Sequence, residues 1–429
     1  MVGGCLPVER PPATPSPLPA APPPPTPLAA PAPPAPAEPP RPTPTPLEAV
    51  AVNKRGVHLL LDDGGNRWPE EVWDQHLAWA AKLAGHGGYV VQLIRSNDLR
   101  PEVWQPYFDS VAREGLVPIV RLATYKDLPH QWWVAPEPDP GEKSYRSEAD
   151  RFRRFFDAIV WRAERVVVTI GNEPNRPDEW GGAADPAAYA RYLRDVAQAM
   201  RRVSSVRPVV LNAALDGFAP SRDGPGGASF DAERFLQGML AEVPDCLELV
   251  DGWAAHAYPL GPFGEPPGRQ EFRIDDVRPE ATPRSAPAPG LPNRGVNSYA
   301  WELWKLGQLG LGRELPVYIT ETGWRHVQSQ VAASLDVSGA TVEDERFADY
   351  VSLAFDGPGI GWTPWNVDPR VKAVALFALA GKPDEWGHTN LALVDSGGRI
   401  VGAYQSAERL AVVRPGPVAR RGLDVDGGR

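Results

Sequence analysis

The stretch Val166-Val167-Val168-Thr169-Ile170-Gly171-Asn172-Glu173-Pro174-Asn175 runs from an apolar segment straight into an amide and a carboxyl group. A run that is apolar on both faces is what a parallel strand covered by helices requires. Seven more such runs flank it: Gly56–Leu61, Tyr89–Ile94, Leu116–Leu122, Pro208–Ala213, Leu249–Ala255, Pro316–Thr320 and Val371–Leu379. Longer amphipathic segments separate them. Pro69–Ala84 and Pro101–Glu114 have apolar residues at helical spacing, and Pro186–Arg202 carries Tyr189, Tyr192, Leu193, Val196 and Met200 on one stripe. Pro101 and Pro186 suit the first turn of a helix. Alternating β and α over about 360 residues implies a parallel sheet, and eight repeats imply closure into a (β/α)8 TIM barrel. A doubly wound sheet would want a Gly-rich phosphate turn after its first strand, and Asp62-Asp63-Gly64-Gly65-Asn66 is not one.

The rest of the 429 residues frame this barrel. Twenty of the 51 prolines lie between Pro7 and Pro46, among Ala and Thr, so residues 1–49 are expected to form an extended, disordered stalk. The barrel is assigned to residues 50–413 and a flexible tail to 414–429. Val2-Gly3-Gly4-Cys5 resembles the end of a bacterial lipoprotein signal, without the basic and apolar segments that come before it. Either Cys5 is a lipid anchor at a cell surface or it is an incidental residue of a tail. With only Cys5 and Cys246, and with Cys246 in an expected helix, a disulfide framework is excluded. The net charge of −10 argues against a nucleic-acid partner. No apolar run approaches the roughly 20 residues of a membrane span. The seven histidines are scattered without a His-x-His, so neither a metal nor another cofactor is expected. The chain is expected to be a monomer.

In a barrel, chemistry belongs at the carboxyl ends of the strands. The fourth run ends in Asn172-Glu173-Pro174, and the seventh in Ile319-Thr320-Glu321-Thr322-Gly323-Trp324, so two carboxyls converge on the mouth. In type, order and strand number this pair resembles the clan A retaining glycoside hydrolases, over roughly Lys54 to Val412. The resemblance implies that Glu173 is the acid/base and Glu321 the nucleophile in hydrolysis of a β-linked oligo- or polysaccharide. A non-catalytic carbohydrate-binding barrel is the rival reading. Retaining hydrolysis needs two carboxyls about 5–5.5 Å apart, one attacking the anomeric carbon and one protonating the leaving oxygen. On this reading the pKa of Glu173 should be raised by burial and by ionised Glu321.

The same resemblance implies further roles. Asn172 would hydrogen-bond a sugar 2-hydroxyl, and the Tyr of His256-Ala257-Tyr258 would donate to the nucleophile. Arg95, at the end of the second run, would fix the nucleophile's carboxylate; Arg121 lies in the third run. Among 15 tryptophans, Trp324 and Trp386 are the expected sugar platforms, while Trp161, Trp301 and Trp304 suit packing. Many clan members end strand 8 directly in Trp; here Phe377-Ala378-Leu379 stands in that place, with Trp386 further on.

Overall fold

Each apolar run folds as a short strand, and the order of the eight is that of a barrel. In a computed structural model the described residues are 53–223, 227–271, 291–325, 344–359 and 362–411. The expected stalk, Cys5 and the tail lie outside them, as do residues 272–290. The strands are β1 (Arg55–His58), β2 (Tyr89–Arg95), β3 (Val117–Ala123), β4 (Val167–Ile170), β5 (Val209–Leu211), β6 (Trp253–His256), β7 (Val317–Thr322) and β8 (Val371–Leu376). They are parallel neighbours in the order β5-β4-β3-β2-β1-β8-β7-β6. A parallel bridge between Leu211 and Gly252 joins the two ends and closes the ring. The helices around it are α1 (Trp73–Ala84), α2 (Pro101–Arg113), α3 (Arg146–Ala158), α4 (Pro186–Met200), α5 (Ala232–Glu242), α6 (Tyr299–Gln308), α7 (Asp344–Asp356) and α8 (Gln405–Leu410). This is a (β/α)8 TIM barrel.

The two-residue period of a strand sorts its side chains into two layers. Tyr89, Val91, Ile119, Val167, Leu211, Ala254, Tyr318, Ala373 and Ala375 fill the barrel interior. Val90, Ile94, Val120, Leu122, Val168, Ile170 and Val374 pack outward against the helices. The expected stripe of α4 is buried in full, from Tyr189 to Met200. Asp185 caps this helix by accepting from the Ala188 amide at 2.9 Å, and Pro186 occupies its first position.

Several strands are shorter than their apolar runs, and two show why. Cys246–Leu249 is a 3₁₀ turn, where a helix and then a strand were expected, and β6 begins only at Trp253. Asp251 intervenes: its amide donates to the Val210 carbonyl and its carboxylate accepts from the Val210 amide, so the loop makes the contact that a strand would have made. β8 stops at Leu376, and the Phe377–Ala378 peptide just beyond it is cis.

Candidate active site

The interior period carries polar side chains to the carboxyl ends. Arg121 follows Ile119 by two residues on β3, and His256 follows Ala254 by two on β6. Glu321 breaks this parity, being three residues beyond the inward Tyr318. A bulge in β7 accommodates it: on the β6 side the register steps from Ala255↔Ile319 to His256↔Glu321, and on the β8 side from Val374↔Ile319 to Leu376↔Thr322. Each step gives β7 one residue more than its neighbour, which re-aims Glu321 into the barrel.

Glu321 is held by two groups, and a third stands beside it. Arg121 Nη1 donates to its Oε1 at 2.7 Å and also to Asn172 Oδ1 at 3.0 Å. Tyr258 donates its hydroxyl to Oε2 at 3.0 Å. His58 Nε2 stands 3.5 Å from Oε1 without a hydrogen bond, while its Nδ1 lies 2.8 Å from the Leu59 carbonyl. Burial, and then the charge of Arg121, pushes the His58 pKa well below its usual value, so the ring beside the carboxylate is neutral.

Glu173 sits just past β4 with φ of 33°, in the left-handed region that non-glycine residues avoid. Such strain costs on the order of 1–3 kcal/mol and persists where surrounding bonds over-determine it. Here the Glu173 amide donates to the Ala214 carbonyl at 2.9 Å. Its Oε1 lies 2.6 Å from His256 Nδ1, and its Oε2 accepts from Arg176 Nη1 at 3.1 Å. His256 also places Nε2 3.8 Å from Glu321 Oε1, so one imidazole spans the two carboxylates.

This geometry reverses the expected ionisation of Glu173. Burial does oppose its charge, but the hydrogen bond and charge of His256, with Arg176 and Arg121, outweigh burial and bring the carboxyl down to about 2. His256 moves the other way. Burial would lower its pKa, yet the charge of Glu321 and the bond and charge of Glu173 raise it. The proton shared by this pair therefore rests on the imidazole.

A cavity of about 400 Å³ opens above both carboxylates. Asn172, Glu173, Tyr258, Glu321 and Trp386 all line it. With its Oδ1 taken by Arg121, the Asn172 NH2 makes no hydrogen bond among the described residues and can donate into the cavity. Trp386 is fixed by its indole N–H, 2.8 Å from Asp63 Oδ2, and its ring meets Phe377 at 5.3 Å. Phe377 thus supplies the aromatic surface directly after β8.

Two expected site residues are elsewhere. Arg95 does not reach Glu321; its guanidinium makes two bonds to Asp62, at 2.6 and 3.0 Å. Trp324 is buried in the wall, only 1% exposed, with its N–H on the Glu265 carbonyl at 2.8 Å and its ring against Phe347 and Tyr350. Trp133 lines the cavity in its place, on the hairpin of Lys126–Asp127 with Trp132–Trp133. That ring lies against Gly64, whose φ of 84° and absent Cβ allow the approach.

The cavity also holds groups not anticipated from the sequence: Arg176, Glu179 and Asp216. Burial, then the charge of Glu173, pushes the Glu179 carboxyl up to about 8 and that of Asp216 up to about 6. A signal for Arg121 did exist in the sequence, as a charge inside an otherwise apolar strand. Among the described residues no His, Cys, Asp and Glu side chains cluster as a metal site.

No protein family and no curated protein matches this chain. Solved structures do resemble it, several glycosidases among them. ZgEngAGH5_4 aligns with 84% of this chain and 96% of its own, at 11% identity and a TM-score of 0.50. A fungal β-1,4-galactanase aligns over 84% and 99%, at 14% identity and a TM-score of 0.46. The family 1 β-glucosidase of Thermotoga maritima aligns over 80% and 87%, at 15% identity and a TM-score of 0.45. At such identities the likeness is one of fold.

Proposed function

We propose that this chain is a retaining β-glycoside hydrolase in which Glu321 is the nucleophile and Glu173 the acid/base. The observation that carries this reading is the pair itself: two buried carboxyls from β4 and β7 face one cavity, spanned by His256. Glu321, braced by Arg121 and Tyr258, attacks the anomeric carbon as the glycosidic C–O bond breaks. The leaving oxygen takes the single proton of the Glu173–His256 pair, and Glu321 is left as a neutral glycosyl ester. Water then attacks the same carbon, its proton returns to the pair through Glu173, and the Glu321 carboxylate is released. The Asn172 NH2, Trp133, Phe377 and Trp386 orient the sugar. The same proposal has the barrel secreted or held at a cell surface, a reading supported by the Pro-rich residues 1–49 and by Val2-Gly3-Gly4-Cys5.

The deciding experiment is chemical rescue. Glu321→Ala should lose turnover of aryl β-glycosides, and azide should restore it with an α-glycosyl azide as product. A β-azide would exchange the roles of the two glutamates. Sugar binding by wild-type protein with no turnover of any glycoside would support the non-catalytic barrel instead.

A further inference from the structure

Four Lys and Arg side chains line the cavity, and two of them are engaged by its own acids and amides. Arg121 is held by Glu321 and Asn172, and Arg176 by Glu173, Asp178 and Asp216. Among the described residues, Lys126 and Arg325 have no side-chain hydrogen bond or ion pair. Arg325 is the more enclosed case, because its Nε is buried and makes no hydrogen bond. A guanidinium offers five N–H donors in a planar fork, and leaving the buried Nε–H without an acceptor is unfavourable.

Several contacts hold Arg325 in this state. Its amide donates to the Phe263 carbonyl at 3.0 Å, and its guanidinium lies 5.5 Å from the centre of the Phe263 ring. Phe263 has φ of 71°, a left-handed conformation unfavourable for a side chain with a Cβ. That turn places its ring 4.4 Å from the ring of Tyr258, whose hydroxyl touches Glu321. Arg325 is therefore one aromatic ring removed from a residue that holds the nucleophile. Anions that present two oxygens side by side, as carboxylate and sulfate groups do, are the natural complement of such a fork.

We propose that the site takes an acidic glycan, with a carboxylate or sulfate group of one sugar unit seated on Arg325. This rests on the glycosidase reading of the same cavity. Lys126, on the hairpin of Lys126–Asp127 with Trp132–Trp133 and near Gly65, is the second open cation and suits a further acidic unit of the same chain.

The test compares the full chain on matched polymers. Uronate-bearing and sulfated polysaccharides are assayed by reducing-end release beside the same polymers after carboxyl reduction or desulfation. kcat/KM should be lower by about tenfold or more on the neutralised polymer. Arg325→Met, which keeps a stem to pack on Phe263, should show a like loss on the acidic polymer and none on the neutralised one. Whichever modification produces the loss names the anionic group. Equal turnover of acidic and neutralised polymers overturns the proposal and leaves the glycosidase reading standing, as does indifference of a folded Arg325→Met to the acidic polymer. If no polymer or aryl glycoside is hydrolysed at all, both readings fall. Should Arg325→Met not fold, the matched polymers on wild-type protein decide alone.

Discussion

Arg121 Nη1 stands 2.7 Å from Glu321 Oε1 and 3.0 Å from Asn172 Oδ1, so one guanidinium ties Glu321 to the residue preceding Glu173. Preorganised charge of this kind acts where charge changes in the transition state, and its loss costs on the order of a hundredfold in rate. Arg121→Met should lower kcat by about that factor in steady-state assays. Arg95→Met should leave kcat within about threefold, since Arg95 serves Asp62. It should instead lower stability in denaturant melts by roughly 1–3 kcal/mol, because Asp62, 2% exposed, loses a partner. The opposite pattern would return Arg95 to Glu321.

Tyr258 donates to the other oxygen of Glu321 at 3.0 Å. Burial, followed by the charges of Glu321 and Glu173, pushes the phenol well above its usual pKa, so it remains a donor throughout the working range. Tyr258→Phe removes one hydrogen bond to a charged group and should lower kcat/KM by about tenfold or more. The alkaline part of the pH profile should keep its shape. A profile that lost its alkaline limb in Tyr258→Phe would make Tyr258 a titrating group of the mechanism.

Most of the barrel was legible because a buried parallel strand leaves a plain mark, a Val- and Ile-rich run with no polar face. The glutamates were legible because strand order and motif agree. What failed depends on parity and on contacts across the ring. By simple alternation Glu321 would share the outward face of Ile319, and only the β7 bulge turns it inward. Trp324, beyond the same bulge, faces the wall. The ionisation of Glu173 was misjudged because its controlling partner, His256, comes from a strand 83 residues away. Arg95 and Arg121 both stand near strand ends, and which one reaches Glu321 is decided by Asp62 capturing Arg95.

Glu179 offers a test by stability. Its carboxyl is pushed up to about 8 by burial and then by the charge of Glu173, whereas in the unfolded chain it titrates at its ordinary value near 4.5. Between those values the unfolded state has lost a proton that the folded state keeps, so this group makes stability fall as pH rises from about 4.5 to about 8. Glu179→Gln removes that dependence. In melts across this range the variant should gain on wild type with rising pH, with no pH-dependent gain below 4.5. A difference that stayed constant across the range would mean that Glu179 ionises normally in the fold.

The Glu173–His256 pair gives the most direct link from geometry to a rate profile. Glu173 ionises at about 2, and the His256 pKa is raised above 6.5, so between these limits the pair carries one proton, resting on the imidazole. Protonation of the leaving oxygen needs that proton, and because the groups are coupled the limb it produces belongs to the pair. The alkaline limb of kcat/KM should therefore lie above 6.5 in wild-type protein. His256→Asn leaves Glu173 to hold the proton alone, still beside Arg176 and Arg121, which favour its ionised form. The alkaline limb should then move to lower pH, and activity at neutral pH should fall with it. Substrates with good leaving groups, which need little protonation, should lose least. The paired interaction also stabilises the fold. The raised His256 contributes stability that is present below 6.5 and disappears as pH rises through its folded pKa. The lowered Glu173 contributes stability present above 4.5 that disappears as pH falls toward about 2. Melts of wild type and His256→Asn should thus differ most between those limits and converge outside them. An alkaline limb unmoved in a folded His256→Asn would show that the proton comes from another group, with Glu179 the first to examine.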